Sequence, residues 1–239
     1  MKTFVANQPK TNSIGKATLF CNAAKVLALK EVSHLAPACE EVLITGALRR
    51  EETWMEKITL LAVPKGIKRV VQSGLFGSNA VEYTERGPQL GRILTETKGV
   101  LGDRQDGLGP QVREVPIRKI TKGDPMKGIH IEYLRTLSQK TRDWFRQKGY
   151  AERLIPREVR FDLRLVTPDN FGWQMMLMTG GDNYVIGFLN RYLITKGITS
   201  KDGFLIEKNS GEIIPTPNEI MIYDELAKVE YIHPTARGR

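Results

Sequence analysis

The 239-residue chain has only two cysteines, Cys21 and Cys39, too few for a disulfide framework or a four-cysteine zinc site. Its three histidines, His34, His130 and His233, lie far apart and have no metal-ligand spacing. No apolar run approaches the roughly 20 residues that cross a bilayer, which argues against a membrane-spanning protein. The first residues hold neither a signal-peptide apolar core nor a small-residue cleavage site. Like a transit peptide they lack acids, but they also lack arginine, so an intracellular location is expected, cytoplasmic or in the nucleoid or nucleus. Low-complexity tracts and internal repeats are absent. What is present is 41% apolar and 26% charged residues, enough to bury a core and too hydrophobic for a disordered chain.

Positive charge is in excess, with a formal net charge of +9. Residues 1 to 30 carry five lysines and no acid, and Arg104 to Arg164 holds fifteen Lys or Arg against eight Asp or Glu. Such concentrations attract polyanions by counterion release, so DNA is the first partner to consider, beside a merely solvated basic face.

Helical spacing of Phe20, Ala23, Ala24, Leu27, Ala28 and Leu35 predicts a helix within 17 to 35, with Glu31 interrupting its apolar stripe and Pro37 ending it. Residues 41 to 50 read as a buried strand entering a glycine turn with a basic end, and Lys57 to Val63 as a second strand. Residues 66 to 128 hold eleven of the 22 glycines, and 99 to 109 reads as a mobile loop without a phosphate-loop pattern. Ile131, Leu134, Leu137, Thr141, Trp144 and Phe145 share a helical face, predicting one helix that stops at Gly149, with Arg135, Arg142 and Arg146 on another face. A hairpin is expected next, Tyr150 to Ile155 and Glu158 to Val166, turned at Pro156-Arg157. Its second strand has one oily face and one that displays Arg160, Asp162 and Arg164. That face is either an ion-pair ladder or a charge-balanced metal or phosphate site. Helices are expected over 171 to 178, 182 to 196 and 218 to 226, with short strands near 204 to 206 and 212 to 214. Trp54, Trp144 and Trp173 read as core residues, and both cysteines as small buried hydrophobes.

Three blocks, in order, resemble the DNA polymerase X family, the group of DNA polymerase beta and terminal transferase. Thr45-Gly-Ala-Leu-Arg-Arg50 with Lys57-Ile-Thr-Leu-Leu61 resembles its Gly-Ser-x-Arg-Arg turn and Asp-x-Asp strand. Arg160-Phe-Asp-Leu-Arg164 resembles the strand with the third catalytic aspartate. Met178-Thr-Gly-Gly-Asp-Asn183, Thr195-Lys-Gly and Asp224 to Pro234 resemble the thumb. The likeness covers 41 to 63 and 150 to 239 and implies an α+β fold, a nucleotidyltransferase palm with an antiparallel or mixed sheet plus a small α/β thumb. The implied division is a helical remnant of the fingers at 1–40, a palm at 41–167 with the glycine-rich insertion 66–128, and the thumb at 168–239.

The resemblance also implies three carboxylates on two magnesium ions. Here the first two positions read Lys57 and Thr59, and only Asp162 survives. An ammonium repels magnesium and can instead pair with Asp162, taking the metal's place; on this reading no cofactor is required. Of the implied nucleotide-binding positions Gly46, Arg50, Gly180 and Asp182 match, whereas Ala47, Met55, Glu56 and Val185 depart, as does Leu189 at the implied template minor-groove contact. Arg160 and Arg164 are candidate DNA contacts. The expected function is a catalytically degenerate polymerase-like protein that binds DNA or acts as a scaffold in replication or repair. One alternative is an active, Mg2+-dependent nucleotidyltransferase recruiting Asp103 or Asp106. Another is a protein-interaction module for a replication or repair partner, with Val185 and Leu189 on an exposed docking surface.

Overall fold

The computed structural model describes residues 19–73, 79–86, 90 and 129–237, which form an α+β arrangement. Its centre is β4 (Ile58–Pro64), whose seven residues are all buried. β2 (Cys39–Thr45) pairs antiparallel on one side of it, β8 (Glu158–Leu165) parallel on the other, and β7 (Ile129–Thr136) antiparallel beyond β8. A strand covered on both faces reads as a continuous apolar run, which explains Ile-Thr-Leu-Leu-Ala-Val. Outside this sheet, β5 (Gly66–Ser73) and β6 (Asn79–Arg86) form an antiparallel pair.

Helix α1 (Cys21–Leu35) lays Ala23, Ala24, Leu27, Ala28 and Leu35 onto a core shared with Leu60, Ala62, Phe161 and Leu163. The N-terminal helix therefore shares the hydrophobic core of the sheet. It starts later than its spacing predicts, because Leu19–Phe20 forms a short strand, β1, paired with β3 (Trp54–Met55). Leu61, Val63 and Val166, on the opposite face, pack against Phe171 and Met175 of helix α4 (Phe171–Thr179).

Two expectations fail together. The segment from Ile131 to Thr136 is strand, and the helix is only α3, Gln139–Gln147, opened by Ser138, whose hydroxyl accepts from the Thr141 N–H at 3.2 Å. The antiparallel partner of β8 is accordingly β7, and Tyr150 to Ile155 supplies only a 3-10 turn at Glu152–Leu154. Residues 129 to 136 bond along their whole length to β8, and that long-range pairing overrides a local three-residue spacing.

From 168 onward the helices and the strands near 204 to 206 and 212 to 214 fall where the spacing predicts, and the strand at Ile198–Lys201 is additional. After α4 come α5 (Asp182–Phe188, continuing in wider turns to Leu193) and strands β9 (Ile198–Lys201), β10 (Phe204–Glu207) and β11 (Ile213–Ile214). Helix α6 (Glu219–Met221, continuing to Ala227) is last. Trp173, Met176, Phe188, Leu205, Ile222 and Tyr223 centre a second core. Lys196 donates to the Leu226 and Ala227 carbonyls at 2.8 and 2.6 Å, which caps the α6 end. Among the described residues no helix is long and apolar enough to cross a membrane.

Candidate functional site

The parallel register of β4 and β8 sets Thr59 opposite Asp162, and the antiparallel register of β2 sets Thr45 opposite Thr59. Residues in register point to the same side, so Thr45, Thr59 and Asp162 form one row across three strands. Lys57 precedes Thr59 by two residues and reaches the same row from just outside β4. Its ammonium donates to Asp162 Oδ2; the aspartate side chain is 4% exposed and the lysine 39%. The expected ion pair is present. Arg164 adds its guanidinium 4.0 Å from Asp162 Oδ1, and Arg160 and Arg164 are both half-buried.

In front of this row lies a cleft of about 440 Å³. One wall is the turn after β2, a short helix α2 (Gly46–Arg49) that starts at Gly46 with φ +68°. A Cβ on Gly46 would sit 3.0 Å from Thr59 Oγ1, so the bare glycine lets the turn lie against the row. The opposite wall is the end of α4, with Leu177, Met178 and Gly180, and then Asp182. The structure thus gathers Gly46, Arg50, Lys57, Thr59, Gly180 and Asp182 around one cleft, with Asp162 beneath Lys57.

Its cations are already engaged. Arg50 donates to the Thr179 carbonyl at 2.6 Å and to Glu52 at 2.7 Å. Arg49 turns away from the cleft, to Thr179 Oγ1 at 3.0 Å, Glu219 at 2.8 Å and Tyr231 at 3.3 Å. Thr45 and Thr179 share a hydrogen bond of 2.9 Å. Glu219 is buried and also takes Arg237, whose side chain is fully buried with its guanidinium over the rings of Tyr231, Tyr223 and Tyr184. Burial pushes the Tyr184 and Tyr223 hydroxyls, 2.5 Å apart, above the usual tyrosine range. This clasp of two arginines on one glutamate holds the α2 turn against the chain's last turns.

Val185 is buried in the second core and Leu189 is half-buried against it, so of the two only Leu189 keeps exposed surface. Trp173 is core as expected, but Trp54 is half-buried and lines the cleft. On α3, Arg146 is taken by Asp143 and by Glu152 at 2.6 Å. Cys39 is buried and its thiol is pushed up to about 11 by that burial, an unreactive state. Asp103, Asp106 and the 99 to 109 loop lie outside the described residues.

Sequence reasoning missed the buried pair under α1. Glu31 Oε1 accepts from the Tyr133 hydroxyl at 2.7 Å and from Arg135 at 3.0 Å, and all three groups are buried. The available signal was Glu31 itself, an acid at a core position of an apolar stripe.

No protein-family model matches the chain, and no curated protein sequence matches it.

Proposed function

We propose that the chain is a DNA polymerase X-like palm and thumb that has lost two-metal nucleotidyl transfer and acts by binding DNA, as a non-catalytic protein or scaffold of replication or repair. The observation that carries this reading is the Lys57 ammonium held on the Asp162 carboxylate. Two-metal transfer needs three carboxylates that converge on one face, and the row formed by positions 57, 59 and 162 has that spacing. The donors on it are one buried carboxylate, one neutral hydroxyl and one cation. Magnesium takes hard oxygen ligands in octahedral geometry, and this set does not fit it. Arg50, the position that matches a triphosphate-gripping arginine, is bound to Glu52 and to the Thr179 carbonyl.

Support for DNA as the partner comes from the +9 net charge and from Arg160 and Arg164, which share the strand face of Asp162. In this reading Lys57 keeps the row neutralised where the family would hold metal, so binding needs neither nucleotide nor divalent ion. The test is fluorescence anisotropy with labelled duplex and single-stranded DNA, from about 50 to 200 mM salt, with magnesium or with EDTA. Binding that weakens steeply with salt and ignores EDTA is expected. No binding at the lowest salt, or binding abolished by EDTA, would overturn the proposal.

A further inference from the structure

Trp54 is the part of the cleft that the reading above leaves unused. Its strand β3 is tied to β1, and Phe20, its register partner, meets the indole edge-on at 5.4 Å and 65°. An aromatic ring braced in this way is ordered before any ligand arrives, which lowers the entropic cost of using it. Met55, Leu177 and Met178 extend the same lining with apolar surface.

Charge selects what can rest there. Arg50 and Lys57 are each paired to a carboxylate, and Glu56 and Asp182 add negative charge to the lining. A phosphate would meet acids and neutralised cations. A flat, uncharged group whose N–H edge can donate to carboxylate oxygens would meet an indole face, thioethers and acceptors. At about 440 Å³ the cleft falls within the size range of small-ligand pockets, about 300–1,000 Å³, and is far too small for a duplex.

We infer that the cleft receives an unpaired base of single-stranded DNA, stacked on Trp54, with its sugar and phosphate outside and no metal ion involved. This rests on the reading of the chain as a DNA-binding protein and names the part of the DNA that enters. Stacking on an aromatic side chain tolerates any base, because each has a π face.

The test compares two labelled strands of equal length at low salt with EDTA, one a normal oligonucleotide and one with the same sugar-phosphate backbone but no bases. The wild-type protein is expected to bind the base-bearing strand about tenfold more tightly. Trp54→Leu, which keeps an apolar side chain but removes the ring, is expected to erase that preference and leave binding of the base-free strand unchanged. Trp54→Phe is expected to keep most of the preference, and circular dichroism melting checks that both variants fold. Equal wild-type binding of the two strands, or a Trp54→Leu loss that is the same for both, overturns the base-stacking role while DNA binding stands. Failure of both strands to bind overturns the DNA reading itself.

Discussion

At the scale of single residues, burial decides what a charge is worth. Exposed ion pairs contribute about 0–1 kcal/mol, but a hydrogen bond to a charged, buried group contributes about 1.5–3 kcal/mol. Asp162 is of the second kind, so Lys57→Met is expected to lower unfolding stability by about 1.5–3 kcal/mol in urea titrations. An unchanged midpoint would mean that the ammonium does not hold the carboxylate. Glu31 is more demanding: Glu31→Ala would leave Arg135 buried without its counter-charge, at an expected cost of about 3–5 kcal/mol. Tyr133 adds a pH dependence. Burial first, and the Glu31 carboxylate second, hold its hydroxyl well above the usual tyrosine range. The unfolded chain therefore ionises this tyrosine near pH 10 while the folded one does not. Stability from this group is complete below about pH 10 and falls as pH rises beyond it, and Tyr133→Phe is expected to flatten that alkaline fall in pH-dependent melting. The Lys57–Asp162 pair, 105 residues apart, was expected only because the resemblance sets both positions in one site. The Glu31–Arg135 pair had no such guide: no motif links its partners, and Arg135 sits where local spacing reads as helix.

At the scale of elements, what could be read depended on where each element gets its hydrogen bonds. Helices α4 and α5 and the start of α6 carry their own signals. The Thr167–Asn170 capping box leads into α4, Asn218 caps α6, and Gly197 follows the last turn of α5. β7 carries no such signal, since its partner strand begins 22 residues after it ends, and Ile131, Leu134 and Leu137 fit a helix until β8 is in place. The same dependence on neighbours governs Gly172 in α4. A Cβ there would run into the Asn218 carbonyl at the start of α6, so the two helices approach by backbone contact. Gly172→Ala is expected to destabilise by about 1–3 kcal/mol, whereas alanine in an open helix normally stabilises. A gain in melting temperature would show that this contact does not limit the packing.

At the scale of the whole molecule, two cores are joined at the back of the cleft by Thr45, Arg49, Arg50, Thr179, Glu219 and Arg237. Glu219→Ala would leave two guanidiniums facing each other, one of them fully buried, and is expected to cost about 3–5 kcal/mol in thermal or urea unfolding. A change below about 0.5 kcal/mol would assign the joint to apolar packing alone. The order of motifs made this joint partly visible: the turn at 46 to 50 and the segment from 178 to 183 were singled out separately. That they meet was expected only from the resemblance, which puts both in one nucleotide site; the glutamate that Arg49 reaches, 170 residues away, was not visible. The row beside the cleft they enclose carries a lysine, a threonine and one aspartate, where the proposed reading takes three metal-binding carboxylates to have been reduced to one. Primer extension on a template, with magnesium and separately with manganese, tests that claim most directly. The account predicts no added nucleotides by the wild-type protein and no difference in Asp162→Ala; metal-dependent extension that disappears in Asp162→Ala would contradict it.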